Sequence, residues 1–256
     1  MTAPRTAALL LAVLLAAPAA LADDPRILVY TRNHTPDGKG YVHDNIPKCV
    51  ESLKEIGAEL GRGVDVSDDP AVFSPKNLAR YGVVVFANSN NEAFATEDQR
   101  RAFQDYMKRG GGMAGIHSAS GSERDWPFFW SALGGRFRRH PRFQKFVVRV
   151  ADAGDPIVAG LPETFEWEDE FYYVDFLNPD VHPLLVVDPT TLDDPKAPKD
   201  PGSLLGDAAP VAWRLEAGGG RTFYTSLGHK AESYAHPLMR SLLKGGIQWT
   251  MGGEKP

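Results

Sequence analysis

Short apolar segments alternate with amphipathic segments through the first half of the chain. Three almost uninterrupted apolar runs predict strands: Arg26–Tyr30, Tyr81–Ala87 and residues 113–116. Such runs are typical of parallel strands that are buried on both faces. Helical spacing predicts helices over residues 46–60 and after Thr96, where Gln99 completes a capping box, and over residues 126–133. Strands that alternate with helices predict βαβ units and an α/β fold with a mostly parallel sheet.

The second half of the chain has a less regular pattern. Strands are predicted at residues 145–150, 184–187, 209–215 and 221–226, and the last two are expected to form a hairpin around Gly218, Gly219 and Gly220. Residues 188–210 are rich in Pro and Asp and predict a long surface excursion. An amphipathic helix is predicted over residues 236–251. We expect one domain over residues 23–256.

The first residues are typical of an export signal. Arg5 is followed by an apolar run, and Ala20-Leu21-Ala22 fits a small-residue cleavage site. We therefore expect residues 1–22 to be a signal peptide and the mature chain to be periplasmic or secreted. The run is shorter than the roughly 20 residues that span a bilayer, so stable membrane insertion is not expected.

Charge and cysteine content exclude some functions. The formal net charge of −5 argues against a nucleic-acid partner. Cys49 is the single cysteine and cannot form an internal disulfide. A homo-oligomer is compatible with the sequence.

The sharpest local motif is the run GGGMAGIHSASG at residues 110–121. A buried strand turns abruptly into a loop there, with the layout of a nucleophile elbow that presents His117. An imidazole in this position suits metal ligation or proton transfer. Ser118 is an alternative nucleophile one position further on, and a packed histidine without chemistry is another interpretation of His117.

Several polar residues are expected to meet His117 at the carboxyl edge of the sheet, where open α/β sheets bind ligands. His43 follows the first strand, with His34 as an alternative, and His229 follows the strand at residues 221–226. Two or three imidazoles with a carboxylate form the ligand set of a catalytic divalent ion, most typically zinc. The predicted metal ligands are His43, His117 and His229.

Acidic and aromatic residues complete the predicted site. Asp169 and Glu170 are candidate catalytic carboxylates beside His117, unless they belong to a solvated face. Asp44, Trp167 and Tyr172 are predicted to contact substrate. The arginines at positions 136, 138, 139 and 142 are either an anion site or a solvated basic face.

Several motifs resemble those of the ThuA-like (trehalose-utilisation) family. They are GGGMAGIHSA at residues 110–119, LGGRF at 133–137, His140-Pro141, DEFY at 169–172, GRTFYTSLGH at 220–229 and GIQW at 246–249. The resemblance implies a flavodoxin-like three-layer sandwich of the class I glutamine amidotransferase-like superfamily, and a part in carbohydrate metabolism. The elbow cysteine of that superfamily is replaced by His117, so glutaminase chemistry is not expected. Asp155-Pro156 stands where relatives have His-Pro.

Two alternative functions are compatible with these sequence features. One is a metal-assisted hydrolase or lyase that acts on a small sugar or an oxidised sugar derivative. The other is a non-catalytic carbohydrate-binding or interaction module on the same fold, since a fold does not fix a function.

Overall fold

The computed structural model describes residues 25–196 and 208–252. The predicted signal peptide at residues 1–22 lies outside the described residues, as does part of the predicted excursion. Within the described residues, no helix combines the length and the apolar character that crossing a membrane requires.

Strands and helices alternate in the first half of the chain, as the pattern predicts. The strands are β1 (Arg26–Tyr30), β2 (Asn33–His34), β3 (Val64–Ser67), β4 (Tyr81–Ala87), β5 (Asn90–Asn91), β6 (Gly112–Ile116), β7 (Gly135–Arg139), β8 (Gln144–Val150), β9 (Thr164–Asp169), β10 (Tyr173–Leu177), β11 (His182–Val187), β12 (Ala209–Ala217) and β13 (Gly220–Thr225). The α-helices are α1 (Ile46–Glu59), α2 (Pro75–Leu78), α3 (Glu97–Lys108), α4 (Pro127–Leu133) and α5 (Pro237–Thr250).

A mixed sheet of nine strands has the order β3-β1-β4-β6-β13-β12-β11-β8-β9. Strands β3, β1, β4, β6 and β13 are mutually parallel. The remaining neighbours, from β13 to β9, are antiparallel. Since the direction reverses at each of these four steps, β9 runs in the same direction as β13. The carboxyl ends of β1, β4, β6, β13 and β9 therefore lie at one edge of the sheet.

Helices cover both faces of the parallel part, as the predicted α/β class requires. Leu53 of α1 and Leu243 of α5 belong to a core on one face. Phe103 of α3 and Phe129 of α4 pack with Phe86 on the other face. The predicted fold class is confirmed.

Several predicted local features are also confirmed. Thr96 and Gln99 form the reciprocal capping box of α3. Strands β12 and β13 pair as an antiparallel hairpin. Helix α4 ends at Gly134, which has the left-handed φ of 94° that glycine adopts without steric cost.

The pattern missed strands that lack strong apolar character. Strand β3 carries the sequence VDVS, and β7 carries GRFRR. Strand β7 pairs only with β10, in a separate two-stranded sheet. His182 precedes a proline, a context that is typical of a turn, but it is the first residue of β11.

Candidate functional site

Four side chains from distant parts of the sequence meet at the carboxyl edge of the sheet. They are His43, His117, Glu170 and His229, and one potential ligand atom of each lies within 4.8 Å of those of the others. His117 follows β6, Glu170 follows β9 and His229 follows β13, so the common strand direction brings these three together. His43 comes from the loop before α1.

His117 has a strained backbone and a fixed ring. Its φ is 50°, in the left-handed region, which costs about 1–3 kcal/mol for a residue other than glycine. The Tyr224 hydroxyl holds the turn by donating to the His117 carbonyl over 2.8 Å. The predicted abrupt turn after β6 is thus present, and it directs a fully buried imidazole to the sheet edge.

The hydrogen bonds of the His117 ring select its tautomer. Nδ1 lies 2.6 Å from the Ser226 carbonyl oxygen, which can only accept, so Nδ1 carries the proton. In the neutral ring Nε2 is then the acceptor, and it lies 2.8 Å from the Tyr172 hydroxyl. A ring whose N–H is bound to a backbone carbonyl and whose other nitrogen presents its lone pair is the usual arrangement of a metal-binding histidine, although here that lone pair accepts from Tyr172.

A short strand of small residues makes this turn possible. A Cβ atom at Gly115 would lie 2.6 Å from Leu133 Cδ1 and 2.9 Å from Tyr224 Cδ2. Both neighbours are fully buried, so neither can move aside without disturbing the core. The glycine allows α4 and β13 to approach β6 closely and places the Tyr224 hydroxyl under the turn.

Asp169 holds the backbone that carries His229. Its carboxylate accepts hydrogen bonds from the backbone N–H groups of Gly228 over 2.7 Å and of His229 over 3.1 Å, and also from the indole of Trp167. The left-handed φ of 117° at Gly228 makes this turn possible. Asp169 is completely buried by these partners, and it supports the site instead of facing the pocket.

A second buried bond network fixes the His43 loop to the His229 loop. The Asn45 amide donates to the carbonyls of Gly228 over 2.6 Å and of His229 over 2.7 Å. It also donates to the Asn88 side chain over 3.2 Å. The rings of His43 and His229 are consequently held with centroids 5.4 Å apart.

Glu170 is the carboxylate of the cluster. Its Oε2 lies 3.3 Å from His229 Nδ1 and 3.6 Å from His117 Nε2, while Oε1 lies 3.5 Å from His140 Nδ1. Burial is the largest influence on its pKa and opposes ionisation. The neighbouring side chains of His117 and His229 and the charge of His140 together outweigh it, so the pKa of Glu170 lies well below its ordinary value.

The histidines of the cluster have opposite electrostatic environments. Burial, reinforced by the proximity of His117 and His229, lowers the pKa of His43 to about 3, so this ring is neutral at physiological pH. The hydrogen bond to Glu170 raises the pKa of His229. The cluster thus contains a neutral, desolvated imidazole, His43, beside an imidazole that is paired with a carboxylate, His229. A bound cation would stabilise this set of ligand atoms.

The donor set fits a divalent ion. A tetrahedral ion with bonds of about 2.1 Å separates its ligand atoms by about 3.4 Å. The distances from Glu170 Oε2 to His229 and His117, 3.3 and 3.6 Å, are close to that spacing. Nδ1 of His43 is buried and has no hydrogen-bond partner among the described residues. Such an atom in a native structure requires an explanation, and a bound ion supplies one.

A pocket of about 390 Å³ opens beside the cluster. That volume lies in the range of about 300–1,000 Å³ that is typical of small-molecule sites. The pocket is lined by Tyr41, His43, Asn90, Ser118, Gly121, Arg124, Phe137, His140, Glu170, Tyr172 and His229. The Ser118 hydroxyl is buried and has no hydrogen-bond partner in the part of the chain that is described, so it is available to a ligand.

Some predicted site residues lie outside this pocket. Trp167 is buried in β9, where its indole binds Asp169 and its ring packs at 5.0 Å from His236. Asp44 is exposed and has no hydrogen-bond or ion-pair partner among the described residues, although its charge acts on His229. His34, the alternative to His43, lies on the surface 3.6 Å from Glu92. Tyr172, in contrast, contacts His117 directly.

Several residues of the pocket wall were not predicted from the sequence, among them His140 and Arg124. His140 precedes Pro141, a context that is typical of a turn, yet its ring lies beside Glu170 and Tyr172. Arg124 follows no recognisable motif. Its guanidinium lies 5.5 Å from the Phe137 ring, and Nε donates to the Gly121 carbonyl.

Cys49 is not placed for nucleophilic chemistry. It is completely buried in α1. Burial raises the pKa of its thiol to about 12, so the reactive thiolate is not formed at physiological pH. This agrees with the expectation that glutaminase chemistry is absent.

A family model described as ThuA, Trehalose utilisation, matches residues 26–250. The chain belongs to the ThuA family. A ThuA-like protein from Bacteroides uniformis is similar in structure, with a TM-score of 0.67 and 24% identity over 92% of this chain and 95% of that one. A second from Parabacteroides merdae has a TM-score of 0.68 and 20% identity, over 91% and 92% of the two chains. No curated protein matches the chain significantly.

The ThuA fold also resembles part of larger enzymes. A β-galactosidase from Rahnella sp. R3 matches with a TM-score of 0.54 and 13% identity, over 90% of this chain but 32% of that one. At that identity the likeness concerns the fold alone. The structure and the family together place the chain in a carbohydrate-utilisation family with a flavodoxin-like, amidotransferase-like fold.

Proposed function

We propose that this ThuA protein is a divalent-metal enzyme, a hydrolase or lyase that acts on a sugar or an oxidised sugar derivative. The observation that carries the proposal is the convergence of His43, His117, His229 and Glu170 on one point at the floor of a pocket. An ion at this cluster would supply a partner for the buried Nδ1 of His43, which has none among the described residues.

The three histidines would hold the ion, which we expect to be zinc. When bound, such an ion lowers the pKa of a water ligand and polarises a carbonyl or glycosidic oxygen. Glu170 is ionised and lies next to His117 and His229, so its carboxylate would orient a water at the cluster and would be the group there that accepts a proton. Asp169, predicted as a second catalytic carboxylate, instead positions His229 through its backbone.

The pocket walls suit a sugar. Tyr41, Phe137 and Tyr172 contribute aromatic faces, and Ser118 and Arg124 contribute hydrogen-bond donors. Aromatic surfaces combined with a few placed polar groups bind and orient small ligands. Membership in a trehalose-utilisation family supports a carbohydrate over other small molecules.

The hydroxyl of Tyr172 is hydrogen-bonded to an atom that would bind the proposed ion. It lies 2.8 Å from His117 Nε2, the atom that would bind the metal. If His117 Nε2 held an ion, the Tyr172 hydroxyl would lose this acceptor and could donate to the ligand instead. Burial, followed by the charge of Glu170, raises the pKa of Tyr172, so it stays a neutral donor.

The proposal is tested by metal analysis of chain that has been stripped with a chelator and reloaded. We expect wild type to retain zinc through gel filtration and His117→Ala to lose it. His34→Ala is a matched control, because His34 lies on the surface 3.6 Å from Glu92 and belongs to neither group of potential metal ligands among the described residues. Equal zinc retention by wild type and His117→Ala would contradict the proposed metal site at the histidine cluster.

Turnover distinguishes an enzyme from a binding module. Metal-loaded wild type is incubated with saccharides and with their oxidised derivatives, such as aldonic acids, and products are separated chromatographically. Metal-dependent product formation that His117→Ala abolishes is the expected result. Saturable sugar binding without any product would favour the non-catalytic module instead.

We also propose that the protein is exported. The support is the sequence of residues 1–22, with a basic start, an apolar run and a small-residue cleavage site. The intact mass of the protein purified from its native host should correspond to a chain that begins at Asp23. A mass that includes Met1 would contradict export by this signal.

A further inference from the structure

An arginine, Arg124, lies at the wall of the pocket beside the histidine cluster. Its Nε donates to the Gly121 carbonyl over 3.2 Å, and its guanidinium lies 5.5 Å from the centre of the Phe137 ring. Gly121 and Phe137 line the same pocket. Two wall residues thus hold the guanidinium at the pocket, although the side chain is exposed. A group that is already oriented loses less entropy when it binds a ligand.

Gly121 makes room for this guanidinium. A Cβ atom at position 121 would lie 2.5 Å from Asn90 Oδ1 and 3.1 Å from Arg124 Nη2. Nη2 therefore lies against the main chain of the turn that follows β6, close to Asn90, which also lines the pocket. Ser118 belongs to the same turn, and its buried hydroxyl has no partner among the described residues. A ligand at this wall would meet a cation and a hydroxyl that the protein itself leaves unused.

The charge of Arg124 has no counterpart in the pocket. Within residues 25–196 and 208–252, Arg124 forms no ion pair, and its one side-chain hydrogen bond is that to Gly121. The carboxylate that lines the pocket, Glu170, is paired with histidines: its oxygens lie 3.3 Å from His229 Nδ1 and 3.5 Å from His140 Nδ1. An anionic group of a ligand would therefore supply the missing partner of Arg124.

Arg124 also borders a second cavity, whose acidic residues have other partners. The acidic side chains of its wall are Glu92, Glu97, Glu123 and Asp125. Glu97 and Glu123 both pair with Arg100. Glu92 lies 3.6 Å from His34 Nε2. Asp125 is exposed and forms no ion pair with Arg124. None of these carboxylates neutralises the Arg124 guanidinium.

We propose that the ligand of the pocket is a sugar acid and that Arg124 binds its carboxylate. This inference rests on the proposed function and deepens it, because it selects an acid among the oxidised sugar derivatives. Nε of Arg124 is bound to Gly121, so the two terminal nitrogens would donate to the two carboxylate oxygens. One guanidinium balances one negative charge. It therefore matches a carboxylate better than a phosphate group, which carries a charge of about −1.5 to −2 at pH 7.

The test measures the binding of acidic and neutral sugars to the zinc-loaded, full-length chain by isothermal titration calorimetry. The probes are gluconate, glucuronate, glucose and glucose 6-phosphate. For wild type we expect at least one of the two acids to bind about tenfold more tightly than glucose, or about 1.4 kcal/mol, and more tightly than the phosphate. Arg124→Gln should weaken the binding of that acid about tenfold and leave the glucose affinity within about twofold.

The Arg124 variants decide the test, because a bound ion would attract an acid whether or not Arg124 is present. Arg101→Gln is the matched control: it removes the same charge from an exposed arginine of α3 that pairs with Asp98 and does not line the pocket. It should leave all affinities unchanged. Arg124→Lys keeps the charge without the two parallel donors, so its affinity for the acid should lie between those of wild type and Arg124→Gln.

The outcomes separate this inference from the proposed function. Loss of zinc binding by wild type, or absence of binding by every probe, contradicts the proposed function and the inference together. Normal zinc and glucose binding, with no preference for an acid or with a preference that survives Arg124→Gln, overturns the inference alone. Tighter binding of glucose 6-phosphate than of either acid would overturn the assignment of a carboxylate. Zinc binding by Arg124→Gln verifies that this variant is folded.

Discussion

The parallel and the antiparallel parts of the sheet differ in how they meet solvent. In β4, at the centre of the parallel part, Val83, Val84 and Val85 are all fully buried. In β8, in the antiparallel part, buried and exposed residues alternate strictly, and Val147 is 51% exposed. Helices therefore enclose the parallel part on both faces, whereas one face of β8 remains open.

Both the parallel and the antiparallel parts of the sheet contribute residues to the candidate site. His117 follows β6, a strand of the parallel part, and His43 lies in the loop before α1. Glu170 follows β9, the edge strand of the antiparallel part. The enclosed part supplies rigidly held imidazoles, and the open part supplies the carboxylate and Tyr172. If the two parts form one metal centre, substitutions in either part should lower the affinity for the proposed ion to the same extent.

The largest expected effect is the loss of metal from either side of the centre. His43→Ala removes a ligand from the parallel part, and Glu170→Gln removes the charge from the antiparallel part. We expect both to weaken zinc affinity by about 100-fold, or about 2.7 kcal/mol, measured by competition with a chromophoric chelator. A loss in His43→Ala with none in Glu170→Gln would show that the antiparallel part does not contribute to the ion.

The next effect concerns Asp169, which joins β9 to the His229 loop. Asp169→Asn keeps one acceptor oxygen and replaces the other with an NH2 group, so two of the four N–H donors that bind the Asp169 carboxylate lose their acceptor. We expect a loss of about 1.5–3 kcal/mol in the free energy of unfolding. Zinc affinity should fall about tenfold, as for other residues that orient a ligand.

Glu168→Gln is the control for Asp169→Asn. Glu168 lies next to Asp169 in β9 but is 48% exposed and only 3.7 Å from Lys230. Removal of such a surface ion pair should change the free energy of unfolding by less than about 1 kcal/mol. A comparable loss of stability in both variants would mean that Asp169 has no special role in holding His229.

A pair of valine truncations tests the structural contrast itself. Val85→Ala in β4 leaves a cavity between two covering layers and should cost about 2 kcal/mol of unfolding free energy. Val147→Ala on the open face of β8 should cost about 0.5 kcal/mol or less. Urea denaturation measures both, and equal costs would indicate that the open face of β8 is covered in solution.

The smallest expected effect is that of Cys49→Ala. The thiol is buried and protonated, so no step at the site needs it. We expect zinc affinity and turnover within about twofold of wild type, about 0.4 kcal/mol. Abolished turnover in a variant that still folds and binds zinc would instead support a cysteine-dependent reaction.

The parallel part could be predicted well from the sequence because its strands are apolar on both faces. The run YGVVVFA identified β4 with its correct bounds, and Thr96 with Gln99 located the start of α3. Strands β7 and β10 were missed because their short, mixed sequences GRFRR and YVDFL carry no clear period. The strands and helices with a regular sequence pattern were sufficient to predict the fold class.

The site was predictable to the extent that its residues follow strands. His117, Glu170 and His229 each come directly after a strand or a short loop at the carboxyl edge, and strand direction alone brings them together. His140 and Arg124 lie on connections whose path depends on tertiary packing, and no local signal indicates it. The opposite positions of Asp169 and Glu170, which are adjacent in sequence, follow from alternation at the end of β9.

The most direct test of the account is the anomalous scattering of a crystal of the zinc-loaded protein, recorded on both sides of the zinc absorption edge. The account predicts a single strong peak bonded to His43, His117 and His229, next to Glu170. A peak at Asp152, Asp155 and His182, the other group of potential ligands among the described residues, with none at the three histidines, would contradict it.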